Sequence, residues 1–290
     1  MYSRILIVAL VALSLLTIPV MLSAEYDRHM SDQSELPGLD RPAPLGRRDF
    51  RYIFNTTERL QETDTPQDSS SPYWWLDSGG EMLMGSGVGA TLQGVSEAES
   101  PWRLAYALSN PTDTDGGAHP QNLFRLLTKD HWHNFRQEVY VQIARSNDSA
   151  SPNHNASNGV FLFNRYQDQN NLYYAGMRVD GAVVIKKKLA GQYYQLAYAP
   201  YFIPAADQAS FDNLLPQGKW IGIRTEVQTI SGNRVKIALS LDVNGNNQWQ
   251  QVLVAIDDGR LGAPILKQGS GGIRTDFMDV LFREYRMQDL

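Results

Sequence analysis

The chain of 290 residues contains no cysteine. That excludes disulfides, thiolate metal sites, iron–sulfur clusters and a cysteine nucleophile, so whatever folds is held together by burial. An excess of positive charge is missing as well: 26 Lys and Arg against 31 Asp and Glu leave a formal net charge of −5. Proteins that grip nucleic acid ordinarily carry a basic footprint that neutralises phosphates, so no nucleic-acid partner is expected. No stretch past the N-terminus has the apolar periodicity of a long helix. What is present is ordinary globular composition, 42% hydrophobic and 20% charged.

The one long apolar run opens the chain. Arg4 precedes the uncharged segment Ile5 to Leu22, and Ser23-Ala24 leads into polar Glu25-Tyr26-Asp27. A basic start, an apolar middle and a small residue before a polar stretch describe a secretory signal. Cleavage after Ala24 would leave Leu22 where a small residue is usual, and the run approaches the roughly 18 residues of a bilayer span, so residues 1–24 are read as a signal peptide or an uncleaved signal anchor. Either way the folded part is expected outside the cytoplasm, touching membrane only through that anchor. Residues 25–72 follow, rich in Asp, Ser, Thr, Pro and Gln. With little apolar surface to offset the entropy of ordering, they read as a linker with a candidate edge strand at 50–55, FRYIFN.

From Tyr73 onward short β-rich runs recur at nearly regular spacing, Trp102–Leu108 among them, separated by Gly, Pro, Asn and Asp. Such a pattern predicts an all-β sandwich or barrel. Its centre is the meander of Gly159–Tyr166, Leu172–Val179 and Ala182–Leu189. The Asp180-Gly181 pair between the last two predicts a two-residue type I′ turn with positive φ at both positions. Alternation puts Phe161, Phe163 and Arg165 on one face, and Tyr174, Gly176 and Arg178 together on the next strand. Arg165, Tyr174, Arg178, Lys186 and Lys188 are therefore expected to line one surface. Cations beside aromatic rings suit a glycan that stacks a C–H face on tyrosine while its carboxylate or sulfate groups pair with arginine.

The succession WWLDSGGEML, NGVFLFNRYQDQNNLYYAGMRVDGAVVIKKK, GKWIGIRTEVQ, VKIALSLDVNGNNQW and GGIRTDFMDVLFREYRM resembles a laminin-G-like jelly roll of the concanavalin A-like lectin and glucanase superfamily. The likeness covers about Tyr73 to Met287 and implies a two-sheet antiparallel β-sandwich for residues 73–290. It does not choose a function, because that fold hosts lectins, binding modules, glycoside hydrolases and polysaccharide lyases. It also implies a structural calcium near the terminal strands, for which Asp276 and Asp279 are the candidate ligands.

Catalytic patterns are sparse. No strand carries the Glu-x-Asp-x-x-Glu arrangement that sets two carboxylates at the separation of about 5 Å needed for a retaining glycosidase. The stretches Arg224-Thr225-Glu226, Gln142-Ile143-Ala144 and Gly191-Gln192-Tyr193-Tyr194-Gln195 look like alginate-lyase strands, but their order along the chain is wrong and Ala144 stands where a histidine should be. His131 and His133 lack a third metal ligand, so a loop with Trp132 turned inward explains them better. The stretch from Asp242 lacks glycine at the sixth position and glutamate at the twelfth position of a calcium loop and reads as a hairpin turn. The leading expectation is an exported, non-catalytic carbohydrate-binding domain for a polysaccharide or glycoconjugate. Alternatives are a lyase or hydrolase using Arg165, Tyr174, Arg178 and His131, and an extracellular protein-adhesion module.

Overall fold

A computed structural model of the protein describes residues 48–202 and 213–290. The signal or anchor expected at residues 1–24 lies outside them, as do residues 25–47 of the linker. No helix among the described residues is long and apolar enough to cross a membrane.

Two antiparallel sheets face each other. One is built from β1 (Asp49–Tyr52), β2 (Glu58–Gln61), β4 (Glu81–Gly85), β5 (Val88–Thr91), β7 (Phe135–Ser146), β12 (Ile221–Ile230), β13 (Arg234–Asp242), β14 (Gln250–Asp257) and β16 (Met278–Asp289). The other holds β3 (Trp74–Ser78), β6 (Leu123–Thr128), β8 (Gly159–Asp168), β9 (Asn171–Arg178), β10 (Ala182–Leu189), β11 (Gln192–Pro200) and β15 (Ser270–Asp276). The nine-stranded sheet runs β14-β13-β12-β7-β16-β5-β4-β2, with β1 paired to β16, and the seven-stranded sheet runs β11-β10-β9-β8-β15-β6-β3. This is the expected two-sheet jelly-roll sandwich, and the three strands of the meander are consecutive neighbours in it.

The core lies between the sheets. Trp74, Leu76, Phe124, Leu126, Val160, Leu162, Ala175 and Met177 from one side meet Val139, Val141, Ile143, Ile223, Leu239, Val280 and Phe282 from the other. Each buried aliphatic or aromatic side chain of this kind contributes roughly 1.5–3 kcal/mol, which is how a chain without disulfides holds a domain of this size.

Three local expectations are corrected. First, the stretch read as linker is ordered beyond its candidate strand at 50–55: β1 overlaps that strand and pairs with β16, but β2 also pairs with β4, and Phe54 and Leu60 are buried. The segment reads as polar because only alternate residues of these edge strands reach the core. Second, the run expected as a strand at Trp102–Leu108 is the helix α1 (Pro101–Ser109). Its Trp, Leu, Tyr and Leu alternate, but Trp102 and Tyr106 also stand four apart on one helical face, and Pro101 sits at the first turn where its missing N–H costs nothing. Third, the β9–β10 loop has three residues, Val179 to Gly181, and of the Asp-Gly pair only Gly181 has positive φ, at 79°. The Asp180 carboxylate instead accepts the Ala182 N–H at 3.1 Å and the Arg178 guanidinium.

Candidate functional site

The outer face of the seven-stranded sheet is apolar at its floor. Leu127, Phe161, Phe163, Tyr166, Leu172, Tyr174 and Val184 form a buried cluster there, separate from the inter-sheet core, with Trp75 packed against it. Strand alternation produces it: the partners of these residues one position along, such as Leu126, Leu162, Tyr173 and Val183, all point into the sandwich.

Cations lie across this floor. Tyr174 pairs with Phe163 on β8 and with Lys186 on β10, whose Nζ is 6.0 Å from the Tyr174 ring. Arg274 of β15 holds its guanidinium 5.6 Å from that ring and 5.9 Å from Phe161. Lys188 sits opposite Tyr193 of the edge strand β11, Nζ to ring 4.7 Å. The rings of Tyr193 and Tyr174 meet edge-on at 6.3 Å. Tyr193 is 53% exposed, whereas Tyr174 is only 4% exposed. Tyr174 thus serves as floor beneath the cations, and Tyr193 is the ring a ligand can reach.

Of the five residues expected to line this surface, four do. Lys186, Lys188 and Tyr174 are as described. Arg178 also faces outward, over the Tyr198 ring at 5.3 Å, but its guanidinium is committed to Asp180 and to the Ala156 carbonyl. Arg165 is the exception and is fully buried. It has φ of 49°, and pairing with β9 breaks between Asn164 and Asp168, so a bulge turns Arg165 inward and Tyr166 outward. Gly269 permits this, because a Cβ there would lie about 2.5 Å from the Tyr166 carbonyl. The buried guanidinium donates to the carbonyls of His133 and Ile265, to Asn134 Oδ1 and to Thr229 Oγ1. Burial pulls its pKa down to about 10. Four neutral acceptors make it a brace between the sheets, which removes it from any catalytic set. His131 is exposed in the β6–β7 connection, where its carbonyl accepts from Arg48, and Trp132 is turned inward as expected.

The two carboxylates expected as calcium ligands both have protein partners. Asp279 Oδ1 accepts from Gln121 Nε2 at 2.8 Å and Asn147 Nδ2 at 2.9 Å, and Oδ2 accepts from the Gly94 N–H at 2.7 Å and Arg145 Nη2 at 2.8 Å. A carboxylate ringed by four N–H donors presents no lone pair to a cation. Asp276 is ion-paired to Arg274, Nε to Oδ1 at 2.8 Å. Its Oδ2 is buried without a hydrogen-bond partner, and no group of three potential ligands occurs among the described residues, so an ion that takes six or more oxygens would need further donors there.

Two residues of the face were not picked out as site residues. Arg274 is in the closing GGIRTD stretch, where Gly272, Arg274 and Asp276 alternate outward. Tyr193 is in the GQYYQ stretch, which looks like a lyase strand out of its order along the chain. Partial burial tends to raise the Tyr193 phenol, but Arg274 and Lys188 outweigh it and bring the pKa below its ordinary value. For Lys186, partial burial and then Arg178 and Arg274 lower the ammonium pKa. The Tyr193 shift reports a local excess of positive charge, whereas that of Lys186 reports burial first and the neighbouring cations second.

No family model and no curated protein sequence matches the chain. Among solved structures it is similar to the carbohydrate-binding module CBM66 from Bacillus subtilis, at 18% identity over 57% of this chain and 81% of that one, TM-score 0.38. It is similar also to lectin II from Ulex europaeus, at 8% identity over 83% and 98%, TM-score 0.44. A xylan β-1,4-xylosidase from Bacillus halodurans matches at 12% identity over 89% of this chain but only 41% of its own, TM-score 0.44. At such scores these likenesses bear on neither substrate nor activity. The sheet order itself shows a two-sheet antiparallel β-sandwich.

Proposed function

We propose that the protein is an exported carbohydrate-binding domain, held near the membrane or released according to the fate of residues 1–24, which takes a polysaccharide or glycoconjugate without breaking it. The observation that carries this reading is the outer face of the seven-stranded sheet, where Tyr193, Lys186, Lys188 and Arg274 converge above an aromatic floor. A sugar ring laid on Tyr193 buries its C–H face, and the surrounding cations bond its oxygens.

One observation favours an enzyme as the second reading. A tyrosine whose phenol is brought down by two cations is the kind of group a lyase uses to move a proton. A glycan-array screen of the full chain, followed by a product assay on every polymer retained, separates the two. Binding without products, weakened by Tyr193→Ala, supports the binding domain. Unsaturated or reducing-end products abolished by Tyr193→Phe identify a lyase or hydrolase instead.

A further inference from the structure

We propose that the glycan taken by this face is anionic, bearing carboxylate or sulfate groups that Lys186, Lys188 and Arg274 bind. The inference rests on the carbohydrate reading above and concerns the class of ligand. Four cations, Arg178 on β9, Lys186 and Lys188 on β10 and Arg274 on β15, stand around Tyr174, Tyr193 and Tyr198 on one sheet face. Two carboxylates answer them, each tied to an arginine: Asp180 to Arg178 and Asp276 to Arg274. Lys186 and Lys188 make no ion pair among the described residues.

This imbalance stands out in a chain whose net charge is −5. Like charges held together by strand register repel one another in the free protein, and an anion relieves that repulsion, so the lysines contribute more to an acidic ligand than to a neutral one. Geometry agrees. Lys186 and Lys188, two apart on β10, project from the same face at a spacing of about 6.5–7 Å. Arg274 commits its Nε to Asp276, and a guanidinium fork suits the paired oxygens of a carboxylate or sulfate. An inward-pointing Lys187 between them, neutralised by Asp257, shows that the sequence KKK is not simply a solvated charge run. Acidity of the whole chain favours a polysaccharide over nucleic acid, whose dense phosphates reward a basic surface of larger extent.

The test is affinity electrophoresis of the full chain in polygalacturonate, dextran sulfate and mixed-linkage β-glucan, with single-stranded DNA as a further probe. The expected result is retardation by one or both acidic polymers, weakened by salt and weakened about ten-fold in a Lys186→Gln/Lys188→Gln variant, the order of two lost ion pairs. Polygalacturonate against dextran sulfate distinguishes carboxylate from sulfate. Equal retention by β-glucan, unchanged in the double variant, would overturn the anionic class while leaving the carbohydrate reading standing. Retention by DNA as strong as by the acidic polysaccharides would overturn it in favour of phosphate. No retention by any polymer, from protein with unchanged thermal melting, would sink the carbohydrate reading itself.

Discussion

Lys187 and Asp257 meet inside the sandwich, Nζ to Oδ2 at 2.8 Å, with neither side chain reaching solvent. The ammonium also donates to the Gly262 carbonyl at 2.8 Å and the Ala263 carbonyl at 3.3 Å, and the same carboxylate oxygen accepts from Tyr173 Oη at 2.7 Å. Tyr173 Oη in turn accepts the Ile265 N–H. One ion pair thus ties β9 and β10 of the seven-stranded sheet to the end of β14 in the other and fixes the 258–265 segment. It also decides which way β10 faces, because Lys187 inward places Lys186 and Lys188 outward.

Removing one partner of this pair leaves a bare buried charge. Lys187→Met is expected to cost about 3–5 kcal/mol, while Lys187→Met combined with Asp257→Leu should recover much of the loss, since a hydrophobic replacement of a buried pair is often nearly neutral. Urea unfolding of the two variants measures it. Equal destabilisation of both would mean that the pair acts through the backbone carbonyls alone.

Asp279 is expected to behave as a structural acceptor. Asp279→Asn replaces one oxygen by an amide N–H₂ that faces two of the four donors, so at least one buried donor loses its acceptor at a cost of about 1–3 kcal/mol. Melting of the parent protein should be the same in EDTA and in calcium as far as this residue is concerned. A calcium-dependent rise in melting temperature that disappears in Asp279→Asn would contradict this geometry.

The sheets were legible because alternation and turn residues act locally. What escaped acts through distance or through a break in alternation. Strict period two puts Arg165 beside Phe163; a single αL residue at Arg165 shifts the parity, and its sequence carries no glycine to announce the bulge. The donors around Asp279 come from positions 94, 121, 145 and 147, so nothing near Asp279 tells a satisfied carboxylate from a metal ligand. The lysine register could be read from the meander, whereas Arg274 and Tyr193 reach the same face only once β15 and β11 take their places in the sheet.

Glu62 gives a pH signature for the α1 side of the domain. Its Oε2 accepts Tyr106 Oη at 2.6 Å and the Gly80 N–H at 2.8 Å, yet burial outweighs both and raises the carboxyl pKa above 4.5. A raised folded-state pKa means that the stability Glu62 contributes is fully present below the ordinary carboxyl value and is lost as pH climbs through the raised one. Glu62→Gln keeps an acceptor and never ionises. Its stability relative to the parent should therefore grow as pH rises from below 4.5, then level off; urea midpoints across that range read it. A difference independent of pH would show that Glu62 titrates alike in the folded and unfolded chain.

Tyr193 tests the charge on the outer face without any ligand. Arg274 and Lys188 together hold its phenol below the ordinary value against the opposing effect of burial. Subtracting the phenolate absorbance titration of Tyr193→Phe from that of the parent isolates this one ring among 14 tyrosines. Its midpoint should fall below about 10, the ordinary tyrosine value, and should move upward in Lys188→Gln, because removing a neighbouring cation withdraws the field that favours phenolate. The same substitution should leave the unfolded-state titration unchanged. If the Tyr193 midpoint in the parent were at or above the ordinary value, the cations would not be acting on the ring, and the outer face would lack the positive field on which its preference for acidic sugars depends.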